Sequence, residues 1–153
     1  MNDLNNLFLT IENYMNNGGS FSDIKPIVES YNSNDWINHT NIDTTGLYRN
    51  KILYLSYNIE ILILTWKSNY ETLPHDHSKN GCWLKVLKGK LVETLYNKKL
   101  EKESENELKE GEVSFMSNDI GYHSIKNDTN NFTFSMHIYS PPLHKTKYFS
   151  VNK

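Results

Sequence analysis

Between residues 52 and 139 the chain is built from seven short apolar or β-branched runs, at 52–55, 59–66, 82–87, 91–96, 113–116, 123–126 and 132–139. None exceeds eight residues, and turn-forming Gly, Pro, Asn, Asp or Ser separates them. Runs this short, rich in Ile, Val, Leu, Thr and aromatic residues, read as strands rather than helices. They commit this part of the chain to an antiparallel β domain. The preceding segment has a different period. Leu4, Leu7, Phe8, Ile11, Tyr14 and Met15 recur at three- and four-residue steps, with Asn2 or Asp3 available as a cap and Gly18-Gly19 to end the helix. Ile24, Ile27, Val28 and Tyr31 repeat the pattern after Ser20 and Ser22, two further cap candidates, and a short helical turn is expected over 35–39. Gly89 between two strand runs predicts a tight hairpin, and the charged stretch 98–110 reads as a solvated hairpin tip. At 153 residues the chain fits one domain: a helical preface at 1–45, a β domain at 47–142 and a tail at 143–153.

The formal net charge of −2 provides no basic field to attract nucleic acid or an anionic membrane. The longest apolar run, 59–66, is far too short to span a bilayer. The amino terminus lacks the basic start and continuous apolar stretch of a signal peptide, and one cysteine, Cys82, rules out an intrachain disulfide framework. A soluble, cytoplasmic, monomeric protein with a small-molecule partner is expected.

Chemistry concentrates around His75-Asp76-His77. In an extended segment side chains alternate, so the two histidines share a face and Asp76 turns away. Two imidazoles so placed can grip one metal, and a third from His123 gives a set of neutral nitrogens suited to iron, copper, nickel or zinc. His-x-His alone is a weak signal, because six histidines in a β-rich chain sometimes fall two apart by chance. Its continuation is more specific. Four residues separate His77 from Cys82, and six more separate Cys82 from Gly89. This resembles the first motif of the cupin superfamily, His-x-His-x4-Glu-x6-Gly, with Cys82 in place of the ligating glutamate. Gly111, His123 and Asn127 match the second motif, one residue longer than usual and without its internal Pro and Gly. That resemblance implies an all-β fold, a small antiparallel barrel (double-stranded β-helix or jelly roll) that holds a metal in its mouth. Loss of the carboxylate would leave a ferrous ion with a net charge of +2 rather than +1, which favours an anionic, soft substrate. Cys82 as a further ligand is the second choice, since its thiolate would take the place of a thiol substrate.

The His75–Asp76–His77 triplet, Cys82, the segment 84–95, the segment 118–123 and Ser135-Met136-His137-Ile138-Tyr139-Ser140-Pro141-Pro142 together resemble the cysteine dioxygenase family. The resemblance implies one Fe(II) per chain on His75, His77 and His123, with O2 as co-substrate. It further implies Cys82 and Tyr139 as the family's thioether-linked pair, and Ser135, His137 and Tyr139 as a hydrogen-bonded line beside the metal. From the residues alone, Cys82 reads as a buried inert thiol and Tyr139 as an ordinary strand aromatic; the resemblance reverses that preference. Trp66 stands where a family tryptophan does, and core packing explains it as well.

Arg49 is the only arginine among 16 basic residues. A guanidinium grips a carboxylate through two parallel hydrogen bonds, which lysine cannot copy, and Arg49 occupies the position of the family's carboxylate-binding arginine. The tyrosine that commonly stands two residues earlier is replaced by Leu47, and Tyr48, one residue on, would face away from Arg49. The chain also ends about ten residues past Pro142, earlier than is usual in the family, which leaves open what closes that side of the pocket. His39 and His144 read as solvated surface residues. The function implied is iron-dependent addition of both atoms of O2 to the thiol of L-cysteine. The alternatives are a dioxygenase of another small thiol such as 3-mercaptopropionate, a zinc cupin, or a binding module that has lost its chemistry.

Overall fold

Alternation along one strand organises the molecule. In the computed structural model, which describes residues 2–43, 45–49 and 52–151, strand β3 (Glu60–Trp66) is buried at every position. Leu62, Leu64 and Trp66 enter one apolar cluster with Leu84, Val86, Leu91, Leu108 and Ile125. Ile61 and Ile63 enter a second cluster with Trp83, Met136, Ile138 and the helical preface. A strand covered on both faces is apolar over most of its length, here Ile61, Leu62, Ile63, Leu64 and Trp66, which is why this run lacks the polar alternation of a half-exposed strand.

The other strands are β1 (Leu47–Arg49), β2 (Tyr54–Leu55), β4 (Gly81–Lys88), β5 (Lys90–Tyr96), β6 (Lys102–Lys109), β7 (Val113–Met116), β8 (Tyr122–Lys126) and β9 (Thr133–Ser140). They form two antiparallel sheets, one in the order β1-β3-β9-β4-β7 with β2 beside β3, the other β6-β5-β8. The inner cluster lies between these sheets, and bridges from Glu71 to Lys126 and from His75 to His123 tie the β3–β4 connection to the second sheet.

Helix α1 (Leu4–Asn16) starts at Asp3, whose carboxylate accepts from the Asn6 backbone N–H at 2.9 Å. It buries Leu4, Leu7 and Ile11 against the outer face of the first sheet. Helix α2 (Lys25–Ser30) is shorter than the periodicity predicts, and neither Ser20 nor Ser22 caps it: its N-cap is Ile24, without a side-chain bond. Its other end is satisfied by the sheet. The buried Lys85 ammonium donates to the carbonyls of Val28 (3.1 Å), Glu29 (3.1 Å) and Tyr31 (2.7 Å), as a cation at a helix C-terminus should. The turn over 35–39 is 3-10 helical.

Two expectations change. Gly89 does not close a hairpin, because β4 and β5 belong to different sheets; it is the corner where the chain crosses between them. Its φ of +93° and a Cβ position only 2.5 Å from Thr133 Oγ1 demand glycine there. The charged stretch 98–110 is not a solvated tip but contains a full strand, β6, paired along β5 with Leu108 as its one buried residue. Ladder bonds need only backbone, so a charged strand is stable at a sheet edge, where its charges oppose further strand pairing. No helix among the described residues is long and apolar enough to cross a membrane.

Candidate metal centre and active site

His75 and His77 lie in the connection between β3 and β4, and His123 lies on β8. The His75 N–H donates to the His123 carbonyl at 3.1 Å, so the two are opposed in an antiparallel bridge and project to one face. Two residues on, His77 joins them, its backbone clamped by Asn118, which accepts from His77 N at 2.9 Å and donates to His77 O at 3.0 Å. One ring nitrogen from each of the three falls within 4.8 Å of the others. The Cys82 sulfur is outside this group.

Hydrogen bonding sets the tautomers. His75 Nδ1 lies 2.9 Å from the Leu73 carbonyl, and His123 Nδ1 lies 2.6 Å from a Glu93 oxygen. Both partners only accept, so each Nδ1 carries the hydrogen and each Nε2 presents a bare lone pair. His77 Nε2 stands 2.9 Å from His123 Nε2. Two nitrogens bound at about 2.1 Å to one ion, at a right angle, would stand about 3 Å apart, so the donor set fits a single transition metal. Burial, then the neighbouring His123, pushes His75 down to about 3, and the same causes hold His77 lower still. His75 and His77 are thus held neutral, with ring lone pairs available to a metal.

Glu93 is the residue that sequence reasoning missed. It is buried on β5, hydrogen-bonded to His123 and to the Ser114 hydroxyl at 2.8 Å. Burial would raise its pKa, yet those hydrogen bonds, first the one from His123, hold it below the ordinary carboxylate value. The signal was available: Leu91, Glu93 and Leu95 alternate onto one face, and a lone carboxylate in an apolar stripe needs a partner. A carboxylate therefore remains beside the centre, one shell removed from the position of the cupin glutamate, and a bound divalent ion would not carry an uncompensated +2 as the ligand count alone implies.

Beside the imidazoles runs a column of inward side chains. Cys82 is paired directly with Tyr139, Leu84 with His137 and Val86 with Ser135 across β4 and β9. Residues 57 apart in sequence are thus cross-strand neighbours on one face. Trp66 Nε1 donates to Ser135 Oγ at 2.8 Å, and Ser135 Oγ lies 2.8 Å from His137 Nε2. The serine hydroxyl, accepting from the indole, can donate its own hydrogen to Nε2; His137 then carries its hydrogen on Nδ1, 3.4 Å from the Tyr139 oxygen. Trp66 is therefore more than core filling: it fixes the direction of the line. Burial, then the facing Cys82, raises the Tyr139 phenol well above its ordinary value; burial likewise raises Cys82 and lowers His137.

Arg49 is opposed to Leu64, which belongs to the inner cluster, so Arg49 also faces inward, at the exposed rim. Its guanidinium lies near the Tyr139 phenol. Leu47 packs against the inner cluster, and Tyr48, opposed to Thr65, faces the other way, as the alternation predicts. A cavity of about 410 Å³ opens here, lined by Arg49, Glu60, Leu62, Leu143 and His144.

The tail covers the side left open by the sequence. Asp76 accepts from His144 Nε2 at 3.0 Å and from the Lys147 N–H at 2.7 Å, while its own N–H donates to the Lys147 carbonyl at 3.0 Å. Phe149 N–H donates to the Pro74 carbonyl at 2.8 Å, and its ring packs on Tyr122. His144 is thus half-buried and partnered rather than solvated.

Two predictions follow from the imidazoles and Glu93. His75 titrates near 3 when folded and near 6.5 when unfolded, so protonation favours the unfolded chain. The melting temperature of metal-free protein should be highest above about pH 6.5 and fall progressively toward pH 3; calorimetry across that range checks it. Glu93→Gln should weaken metal binding about 10- to 100-fold while leaving the fold intact, measured by competition with a chelator.

Known proteins place the chain. The family model for cysteine dioxygenase type I matches residues 13–152. Cysteine dioxygenase type 1 of Rattus norvegicus is 30% identical over 130 residues, covering 79% of this chain and 65% of that protein. The protein of the same name from Danio rerio is 28% identical over 137 residues, covering 83% and 68%. Among solved structures, a double-stranded β-helix protein from Klebsiella pneumoniae superposes with a TM-score of 0.61 at 13% identity, over 75% of this chain and 94% of its own. A cupin superfamily protein from Desulfitobacterium hafniense gives 0.53 at 12% identity, over 66% and 83%. These two support the fold alone. Spanning about two thirds of the length of those curated relatives, and matched to the family model along most of its own length, the chain belongs to the cysteine dioxygenase type I family.

Proposed function

We propose that this protein is a non-haem iron(II) thiol dioxygenase that adds both atoms of O2 to the thiol of L-cysteine, giving cysteine sulfinic acid. The observation that carries the reading is the shared inward face of the three imidazoles, Tyr139 and Arg49. His75, His77 and His123 would hold one Fe(II). Bound there, iron would supply the Lewis acidity that stabilises a substrate thiolate and the redox capacity to use O2. The balance is simple: R–SH plus O2 gives R–SO2H, two steps up the sulfur oxidation ladder.

The protein's own groups do the rest. Arg49 pairs with the substrate carboxylate and so sets the sulfur's approach. The line Trp66–Ser135–His137 points its last N–H at the Tyr139 oxygen, which leaves the phenolic O–H free to donate to substrate or oxygen at the centre. Because that phenol is held protonated, it acts as a donor and not as a competing anionic ligand. Cys82 and Tyr139 form the thioether in this reading. Its S–C bond replaces an S–H and a ring C–H, with two electrons and two protons passing to O2. The crosslink would lock the Tyr139 ring against the site.

3-Mercaptopropionate keeps the carboxylate that Arg49 would bind, so it is the nearest rival substrate; cysteamine lacks it. Protein loaded with ferrous iron should consume O2 and form sulfinate with L-cysteine. Arg49→Ala should raise KM for cysteine about tenfold or more while changing that for cysteamine little. An equal effect on both thiols would remove Arg49 from carboxylate recognition. Absence of thiol-dependent oxygen uptake would favour a binding module.

A further inference from the structure

Tyr148 has no part in the chemistry described so far, yet the fold delivers it to the centre. It is opposed to His75 in an antiparallel bridge, on the side of His75 away from the His123 bridge. Opposed residues project to the same face, so Tyr148 faces the way the imidazoles do. Its ring centroid lies 5.5 Å from that of His75. The flanking residues are fixed: the Lys147 carbonyl is held by Asp76 N–H, and Phe149 N–H by the Pro74 carbonyl. Tyr148 cannot turn over without breaking this short antiparallel pairing.

Its surroundings indicate what the phenol does there. The residue is 52% exposed, so its side chain is not committed to the core. Its phenol lies within electrostatic range of the Arg49 guanidinium. Tyr48, the aromatic nearest Arg49 in sequence, faces the opposite side of β1, and Leu47 is committed to the inner cluster. Tyr148 thus brings a hydroxyl toward the same rim as Arg49 without coming from Arg49's own strand.

We infer that Tyr148 is a specificity-determining residue whose phenolic O–H joins Arg49 in holding the carboxylate of the thiol substrate. The inference rests on the carboxylate-bearing substrate proposed above. A phenol donating to a carboxylate makes a short charge-assisted hydrogen bond, and a planar carboxylate has acceptor capacity beyond the two positions a guanidinium occupies. The C-terminal segment would then be part of the recognition site and not only its cover.

Tyr148→Phe keeps the ring and the backbone pairing and removes only the hydroxyl. On iron-loaded protein, KM for L-cysteine should rise about tenfold, with KM for cysteamine unchanged. Equilibrium dialysis of L-cysteine without oxygen should show a matching loss of affinity, at unchanged iron content. Unchanged cysteine values, or equal changes for both thiols, would overturn the inference. Arg49→Ala measured alongside separates the two levels. If it alters the cysteine-to-cysteamine ratio and Tyr148→Phe does not, carboxylate recognition stands and the role of Tyr148 falls. If the wild-type protein oxidises no thiol, both fall.

Discussion

Three imidazoles converge within 4.8 Å, and most of what surrounds them keeps them aimed at one point. Convergent lone pairs repel, and burial removes protonation as a way out. The remaining relief is a shared cation. The architecture is consistent with that demand: the Leu73 carbonyl and Glu93 occupy the outer nitrogens of His75 and His123, and Asn118 clamps the backbone of His77. Each contact fixes one rotation that a metal would otherwise have to fix on binding, so the ligands are preorganised.

Charge is distributed with the same economy. Glu93 places a buried anion behind His123, and Arg49 places a cation at the rim, with the His137–Tyr139 line between the inner core and the mouth. With a divalent ion held by the imidazoles, a ligand carrying both a soft anion and a carboxylate would satisfy that ion and Arg49 together. In the proposed reaction that ligand is cysteine, whose thiolate and carboxylate are separated by two carbons. Asp76, between the two histidines, looks outward instead and binds the C-terminal segment through His144 and Lys147. One tripeptide therefore both offers metal ligands and closes the pocket.

Most of the strands and the histidine pair were legible because each depends on local pattern: seven short runs, and histidines two apart on one of the connections. The pairing of Cys82 with Tyr139 was not, because register between strands 57 residues apart is a property of the closed sheet. Gly89 misled for a related reason, since a glycine between two strands looks the same whether the chain reverses within one sheet or crosses to another. The charged β6 was hidden because an edge strand needs little apolar surface, and Leu108 alone carries its burial. Glu93 was legible in principle, because it alternates onto one face with Leu91 and Leu95. The tail's roles, including the placement of Tyr148 beside His75, depend on a bridge formed by residues 73 apart, which no spacing rule encodes.

The most direct test concerns the metal centre. Protein equilibrated with ferrous iron under nitrogen, freed of excess ion and examined by X-ray absorption should contain one iron per chain with nitrogen and oxygen neighbours only. Loss of any one of His75, His77 or His123 to alanine should reduce that occupancy. Absence of bound iron, or a sulfur neighbour from Cys82 before any thiol is added, would contradict a three-imidazole site.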